Sequence, residues 1–188
     1  MEEEETRYYH SLYQVAAAIN SARDSQLVLN SIVEHVAKAM DAKACSLTLL
    51  APDRKLLFHA ATWGLSDWFV RMGPLSAGKS IAEALDGKPV AILDATTDPR
   101  IQYPEEVKKE GIASILSVPM MLREEMIGVV RVYTARQYRF SEADIYFVSA
   151  VANLGAIALE NARLYEAARK DYQAVMQEML EWRSYLGT

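Results

Sequence analysis

Residues 113–134 read ASILSVPMML-REE-MIGVVRVYT. Ala113 to Leu122 and Met126 to Thr134 are apolar at nearly every position, and Arg123-Glu124-Glu125 joins them at hairpin spacing. Strands this apolar must be covered on both faces of a sheet, so the chain needs a layer on each side of them. Ser141 then caps a long helix, with Glu142 and Asp144 in the first turn, where acids favour the helix dipole. In that helix Leu154, Ala158, Asn161, Tyr165, Ala168, Tyr172, Val175, Met179, Trp182 and Leu186 repeat at spacings of four and three. This is a heptad seam. Its first half, to about Leu159, packs on the sheet. Beyond Asn161 the chain has nothing left to cover it, so a partner helix is expected, from a second copy or from the N-terminal helix.

Upstream, Leu12, Val15, Ala16 and Ile19 carry helical spacing that breaks at Ser21 to Asp24. Asp24 or Ser25 caps a second helix with the apolar stripe Leu27, Ile32, Val33, Val36 and Met40. ACSLTLL (Ala44–Leu50) and LLFHAAT (Leu56–Thr62) read as strands joined by the turn Pro52-Asp53-Arg54. Trp63 to Met72 is aromatic. A short helix with loops at both ends follows, then the brief strand Pro89–Leu93, a loop over Ala95–Tyr103 and a helical turn over Pro104–Glu110. The expected organisation is an N-terminal helix over 1–24, a sheet-and-helix core over 25–159 and a continuing helix over 160–188.

The composition excludes several classes. Of 188 residues 51% are apolar and 24% charged, enough to form a core and too apolar for a disordered chain. One cysteine allows no internal disulfide, which suits a reducing compartment. A net charge of −5 recruits neither nucleic acid nor an anionic membrane. The longest uncharged run, Ile145–Leu159, has 15 residues, short of a bilayer span, and the acidic start is no signal peptide. The expectation is a cytoplasmic protein.

Residues 73–80, GPLSAGKS, match the phosphate-loop pattern, and Val90–Asp94 imitates the strand ending in a metal-holding aspartate. Only 14 residues separate Lys79 from Asp94, too few for a full helix and crossover. A nucleotide hydrolase using Lys79 and Ser80 therefore stands as the alternative reading. Cys45 lies inside an apolar strand, and His10, His35 and His59 lack metal-ligand spacing. Arg131 sits mid-strand, with Ile127, Val129 and Tyr133 on its face by the period-two rule. It needs a counter-charge, an anion or solvent. Trp63, Trp68 and Phe69 cluster where a pocket lid would lie.

LVLNSIVEHVAKAM, ACSLTLL, PLSAGKSIAEALDGKPVAILDA, DPR (Asp98–Arg100), GIASILSVPM, EEMIGVVRVY and FSEADIYFVSAVANLGAIALENARLY, in this order, resemble a GAF domain, a small-molecule-sensing module related to PAS domains. The resemblance implies an α+β fold, an α/β/α sandwich with an antiparallel sheet of five or six strands. Terminal helices cover one face and a ligand pocket lies on the other. It further implies a homodimer paired through Tyr165, Ala168, Tyr172, Val175, Met179 and Trp182, with the helix continuing into an effector such as a kinase, cyclase or transcription regulator. Phe140 and Asp144 fit the cyclic-nucleotide pattern, but Ile145 replaces its glutamate and no Asn-Lys pair precedes them. Bilin members need a pocket cysteine and the methionine sulfoxide reductases several. For haem only His59 is conceivable. No cofactor, metal or catalytic residue is identified. The expected function is a non-enzymatic sensory or regulatory domain with an unknown small-molecule ligand, contacted by Tyr133, Arg131, Trp63, Ile81, Trp68, Ser117 and Asp94. A structural dimerisation module without a ligand is the other alternative.

Overall fold

The structure is a computed structural model that describes residues 2–21, 24–80, 84 and 86–185. Asp24 ends the first helix pattern by capping the second: its Oδ1 accepts from the Gln26 amide at 2.8 Å. Helix α1 (Glu2–Ser21) and helix α2 (Ser25–Ala39) lead into the hairpin of β1 (Ala44–Leu50) and β2 (Leu56–Trp63). The aromatic stretch holds a four-residue helix, α3 (Asp67–Val70), before the edge strand β3 (Leu75–Ser76) and the single turn α4 (Ala77–Ser80). Then follow β4 (Val90–Ile92), α5 (Pro104–Lys109), β5 (Ser114–Leu122), β6 (Glu125–Thr134) and α6 (Glu142–Tyr185).

The six strands form one antiparallel sheet in the order β3-β2-β1-β6-β5-β4, with β6 beside β1 at its centre. Pro119, which has no amide to give, pairs with Val129 on β6 at a point where the edge strand β4 has already ended. Alternate residues of the central strands serve two separate cores. Cys45, Leu47, Leu116, Val118, Met120, Val130 and Val132 meet Ile32, Val36, Phe147, Val148 and Val151 of α2 and α6. Val129, Tyr133, Ile115, Leu57, Val90 and Ile92 meet Phe69, Ile101, Val107 and Ile112 on the opposite face. The sandwich follows from the double-sided apolarity of β5 and β6.

Two bulges reverse the alternation. Between β5 and β6, Met120 faces Gly128 and Met121 faces Met126, which leaves Ile127 as the extra residue. One inserted residue swaps the sides of all that precede it. Ile127 accordingly packs with the helix-side core and Met126 with the opposite one, so the strict period-two assignment of Ile127 to the face of Arg131 is corrected. In β2, Leu47 faces Ala61 and Thr48 faces His59, so Ala60 is the extra residue.

Helix α6 runs unbroken for 44 residues, about 66 Å at 1.5 Å per residue. Its first half is apolar and long enough to match a membrane span by length and composition, yet Val148, Val151, Ala152 and Ala156 of that stretch are buried on the sheet. Beyond Asn161 every described side chain but half-buried Ala162 is exposed.

Two glycines test the central packing. A Cβ at Gly128 would stand 2.3 Å from the Thr48 carbonyl oxygen, whereas one at Gly155 meets the methyl ends of Met120, Ile32 and Leu47, at 3.1, 3.3 and 3.9 Å. Backbone in a central strand cannot yield, and methyl ends can. Gly128→Ala should cost about 2 kcal/mol or more in urea unfolding, and Gly155→Ala within about 1 kcal/mol of zero because helix propensity offsets the crowding. Equal costs would contradict the packing described.

Candidate functional site

On the face away from the long helices, the sheet presents a row of polar side chains. Thr48 and Ser46 come from β1, His59 from β2, Arg131 and Tyr133 from β6 and Ser117 from β5. Strand pairing brings them side by side: Ser46 lies opposite Arg131, and Arg131 opposite Ser117. The Tyr133 and Ser46 hydroxyls bond at 2.9 Å, Arg131 Nε donates to Ser117 Oγ at 3.1 Å, and Thr48 Oγ1 donates to the Val129 carbonyl at 3.3 Å. Arg131 is only 4% exposed and Tyr133 1%. Burial raises the Tyr133 phenol above its ordinary range, so it stays protonated.

A small cavity of about 20 Å³ opens on this row, lined by His59, Arg131, Tyr133 and Ile115 of the sheet and by residues of two loops. That is room for one water molecule. The first, which runs from α3 to β3, gives Phe69, Met72, Gly73 and Leu75, and the second, which leads into α5, gives Ile101, Gln102, Tyr103 and Val107. Both loops are tied down over it. Ser66 caps α3 by accepting from the Phe69 amide at 3.4 Å, and it donates to the buried Glu110 carboxylate through its amide (2.8 Å) and hydroxyl (2.5 Å). The Ser76 amide donates to Gln102 Oε1 at 2.7 Å, and the Lys109 ammonium lies 4.5 Å above the Trp68 ring. Phe69 closes edge-on against Tyr133, ring centres 6.5 Å apart.

His59 has a special place here. Burial, and then the nearby Arg131 charge, hold its imidazole below the usual range, so it is neutral. Its Nδ1 is buried and, among the described residues, has no hydrogen-bond partner. A guanidinium, a neutral imidazole and two hydroxyls can recognise polar atoms of a small molecule. The cysteine takes no part. Cys45 belongs to the helix-side core, and burial pushes its thiol far up, away from the reactive thiolate.

The structure brings together three of the residues singled out in the sequence, Tyr133, Arg131 and, through its bond to Arg131, Ser117. It places the others elsewhere. Trp63 packs with the helix-side core, because the Ala60 bulge turns it away from the face of His59. Trp68 lies on the outer side of the lid. Asp94 is half-buried two residues past β4, where the Thr96 hydroxyl and amide hold its carboxyl below the usual range. Ile81 lies outside the described residues. The loop residues Gln102 and Tyr103 went unweighted in the sequence, and His59 was weighed there only as a haem ligand. The phosphate-loop string forms an edge strand and one helical turn, and two of its amides, Ser76 and Ala77, already donate to Gln102 and Lys55.

Helices on one face, a lidded polar cavity on the other and an antiparallel sheet between them make an α/β/α sandwich. The profile of the GAF domain family matches residues 22–160, and the chain belongs to that family. It is 27% identical over 155 residues to a phosphoenolpyruvate-dependent phosphotransferase system protein of Escherichia coli (strain K12), covering 81% of this chain and 21% of that protein. The chain thus spans about a fifth of the length of the curated relatives it matches. Among solved structures, the GAF domain from a phosphoenolpyruvate-protein phosphotransferase of Coxiella burnetii superposes with a TM-score of 0.76 at 22% identity, over 86% of this chain and 98% of that one. The corresponding domain from Acinetobacter gives 0.70 at 24% identity, over 83% and 94%.

The neutral His59 makes stability depend on pH. In the unfolded chain a histidine titrates near about 6.5. Below that pH the unfolded state takes up a proton that folded His59 refuses, so stability present above about 6.5 is lost as pH falls toward the folded value. Urea midpoints at pH 7.5 and 5.5 should fall further for the parent chain than for His59→Gln. Equal losses would contradict a buried neutral imidazole.

Proposed function

We propose that this GAF domain is a regulatory module, in which a small molecule at the Arg131–His59–Tyr133 row biases how α6 pairs with the same helix of a second copy. The observation that carries the reading is the continuity of α6. One half is fixed to the sheet that forms the cavity floor; the other projects with Tyr165, Tyr172, Val175, Met179 and Trp182 exposed along a single seam. An apolar seam of this length finds water only at a cost, and a second identical helix covers it.

The charge pattern favours parallel pairing. Asp171 and Glu178 occupy the same flank of the seam, seven residues apart. Antiparallel helices set that flank against itself and face acid with acid, whereas parallel helices set it against the opposite flank, where Arg169 and Met176 lie. Parallel pairing also puts both domains at one end and leaves the other end of the rod for an effector. The similarity to phosphotransferase proteins supports an effector of that class, beside a kinase, cyclase or transcription regulator. The switch itself needs a few kcal/mol of differential affinity between two helix arrangements. The closed cavity must open by moving the tied loops before it takes anything larger than water.

Sedimentation at micromolar concentration tests the reading. The intact chain should run as a dimer and Val175→Glu/Met179→Glu as a folded monomer. A monomeric parent with α6 intact by circular dichroism would overturn it.

A further inference from the structure

Asp144 is a carboxylate with no exposed surface, and the mechanism above leaves it unused. At the start of α6 it completes a capping box with Ser141. It accepts from the Ser141 amide at 2.7 Å and the hydroxyl at 3.0 Å, while the Asp144 amide donates to Ser141 Oγ at 3.2 Å. A helix start needs nothing more. Yet two phenols from elsewhere also donate to it: Tyr138 at 3.1 Å, from the loop between β6 and α6, and Tyr8 from α1. Each phenol is pushed up by burial and by the Asp144 charge, Tyr138 to about 12, so both remain donors.

Helix α1 lies against the helix-side core, with Leu12 and Ile19 half-buried on it. Its buried side chains are Tyr8, Ser11 and Val15; the Tyr8 ring stacks on Phe147 of α6 at 4.2 Å, and Ser11 Oγ donates to the His35 carbonyl of α2 at 3.2 Å. Tyr9 and Tyr13 on its outer side are more than two-thirds exposed. The loop, for its part, is tied to the edge of the sheet at the end of β4. The Tyr138 amide donates to Ser114 Oγ at 2.8 Å, and Ser114 Oγ donates to the Leu93 carbonyl at 2.6 Å, just past β4. Gln137 Nε2 donates to Asp94 Oδ2 at 3.0 Å.

We propose that α1 is a releasable strap, latched through Tyr8 to Asp144, and that the end of β4 controls the latch through Ser114 and Tyr138. The coupling is shared desolvation. Strap and loop cover one carboxylate, and lifting either admits water to it. Water then competes with the remaining phenol, so each cover holds the other in place. A displacement at the end of β4 that pulls on Leu93 or Asp94 loosens the loop, frees the strap and bares Phe147 beside the root of the α6 rod. This device goes beyond ligand binding and pairing, and it stands on contacts that neither of those uses.

Amide exchange read by mass spectrometry on the full chain tests it. Ser114→Ala, remote from α1, should speed exchange over residues 8–18 several-fold, with α2 unchanged. Tyr8→Phe should speed the same residues by about tenfold and, because coupling is reciprocal, residues 137–141 as well. Exchange that rises only on the mutated side, in either variant, would overturn the proposal. If Ser114→Ala unfolds the sheet, Tyr8→Phe reads the same coupling from the surface.

Discussion

The sheet is built around two strands that cannot tolerate water on either face. Residues 115–118 of β5 and 128–133 of β6 are buried throughout, which forces one layer of helices below and a second layer of loops and short helices above. The two layers are not equal. Helices α2 and α6 offer long apolar stripes and close the lower face with regular packing. Among the described residues the upper layer has α3, α4, α5 and the edge strands, too short to form a continuous surface, and a small void remains where they meet. The cavity is a consequence of covering a broad apolar sheet with short elements.

Into that void the sheet delivers polar atoms. Arg131 stands at the centre of β6 between apolar neighbours, and its neighbours across the ladder on either side, Ser46 and Ser117, are hydroxyl residues. An apolar residue at either position would leave the guanidinium nearer to an unmet desolvation cost. His59 completes the row on β2, where Ala61 and Trp63 would have shared its face but for the inserted Ala60. The row sets its hydrogen-bonding groups on a rigid floor, while the lid above it is held by side-chain contacts such as the paired bonds from Ser66 to Glu110.

Much of this was legible from spacing alone. The helical and strand segments, the hairpins at Pro52–Arg54 and Arg123–Glu125, the Ser141 cap and the seam from Asn161 onward are local patterns, and the chain forms them where they are written. The GAF resemblance rests on the same segments. Bulges were not legible, because an extra residue in a ladder is decided by the partner strand; this turned Trp63 and Ile127 to the other face. Contacts between distant loops were not legible either. Gln102 meets Ser76, and Tyr8 meets Asp144 across 136 positions, and no periodicity announces such pairs. Asp94 ends an apolar strand and looked like a pocket residue, but it serves its own turn and the neighbouring loop.

In the proposed reading α6 links the cavity floor to a partner helix. Ala168 lies on the seam with a side chain small enough for a cysteine to replace it without new bulk, and the native Cys45 is buried. Mild oxidation of an Ala168→Cys chain, followed by non-reducing electrophoresis, reads the pairing directly. Parallel helices in register should link the two equivalent residues and give a band of twice the chain mass, which an Ala167→Cys chain, off the seam, does not. A single-chain band from Ala168→Cys, at a concentration where the parent sediments as a dimer, would contradict it.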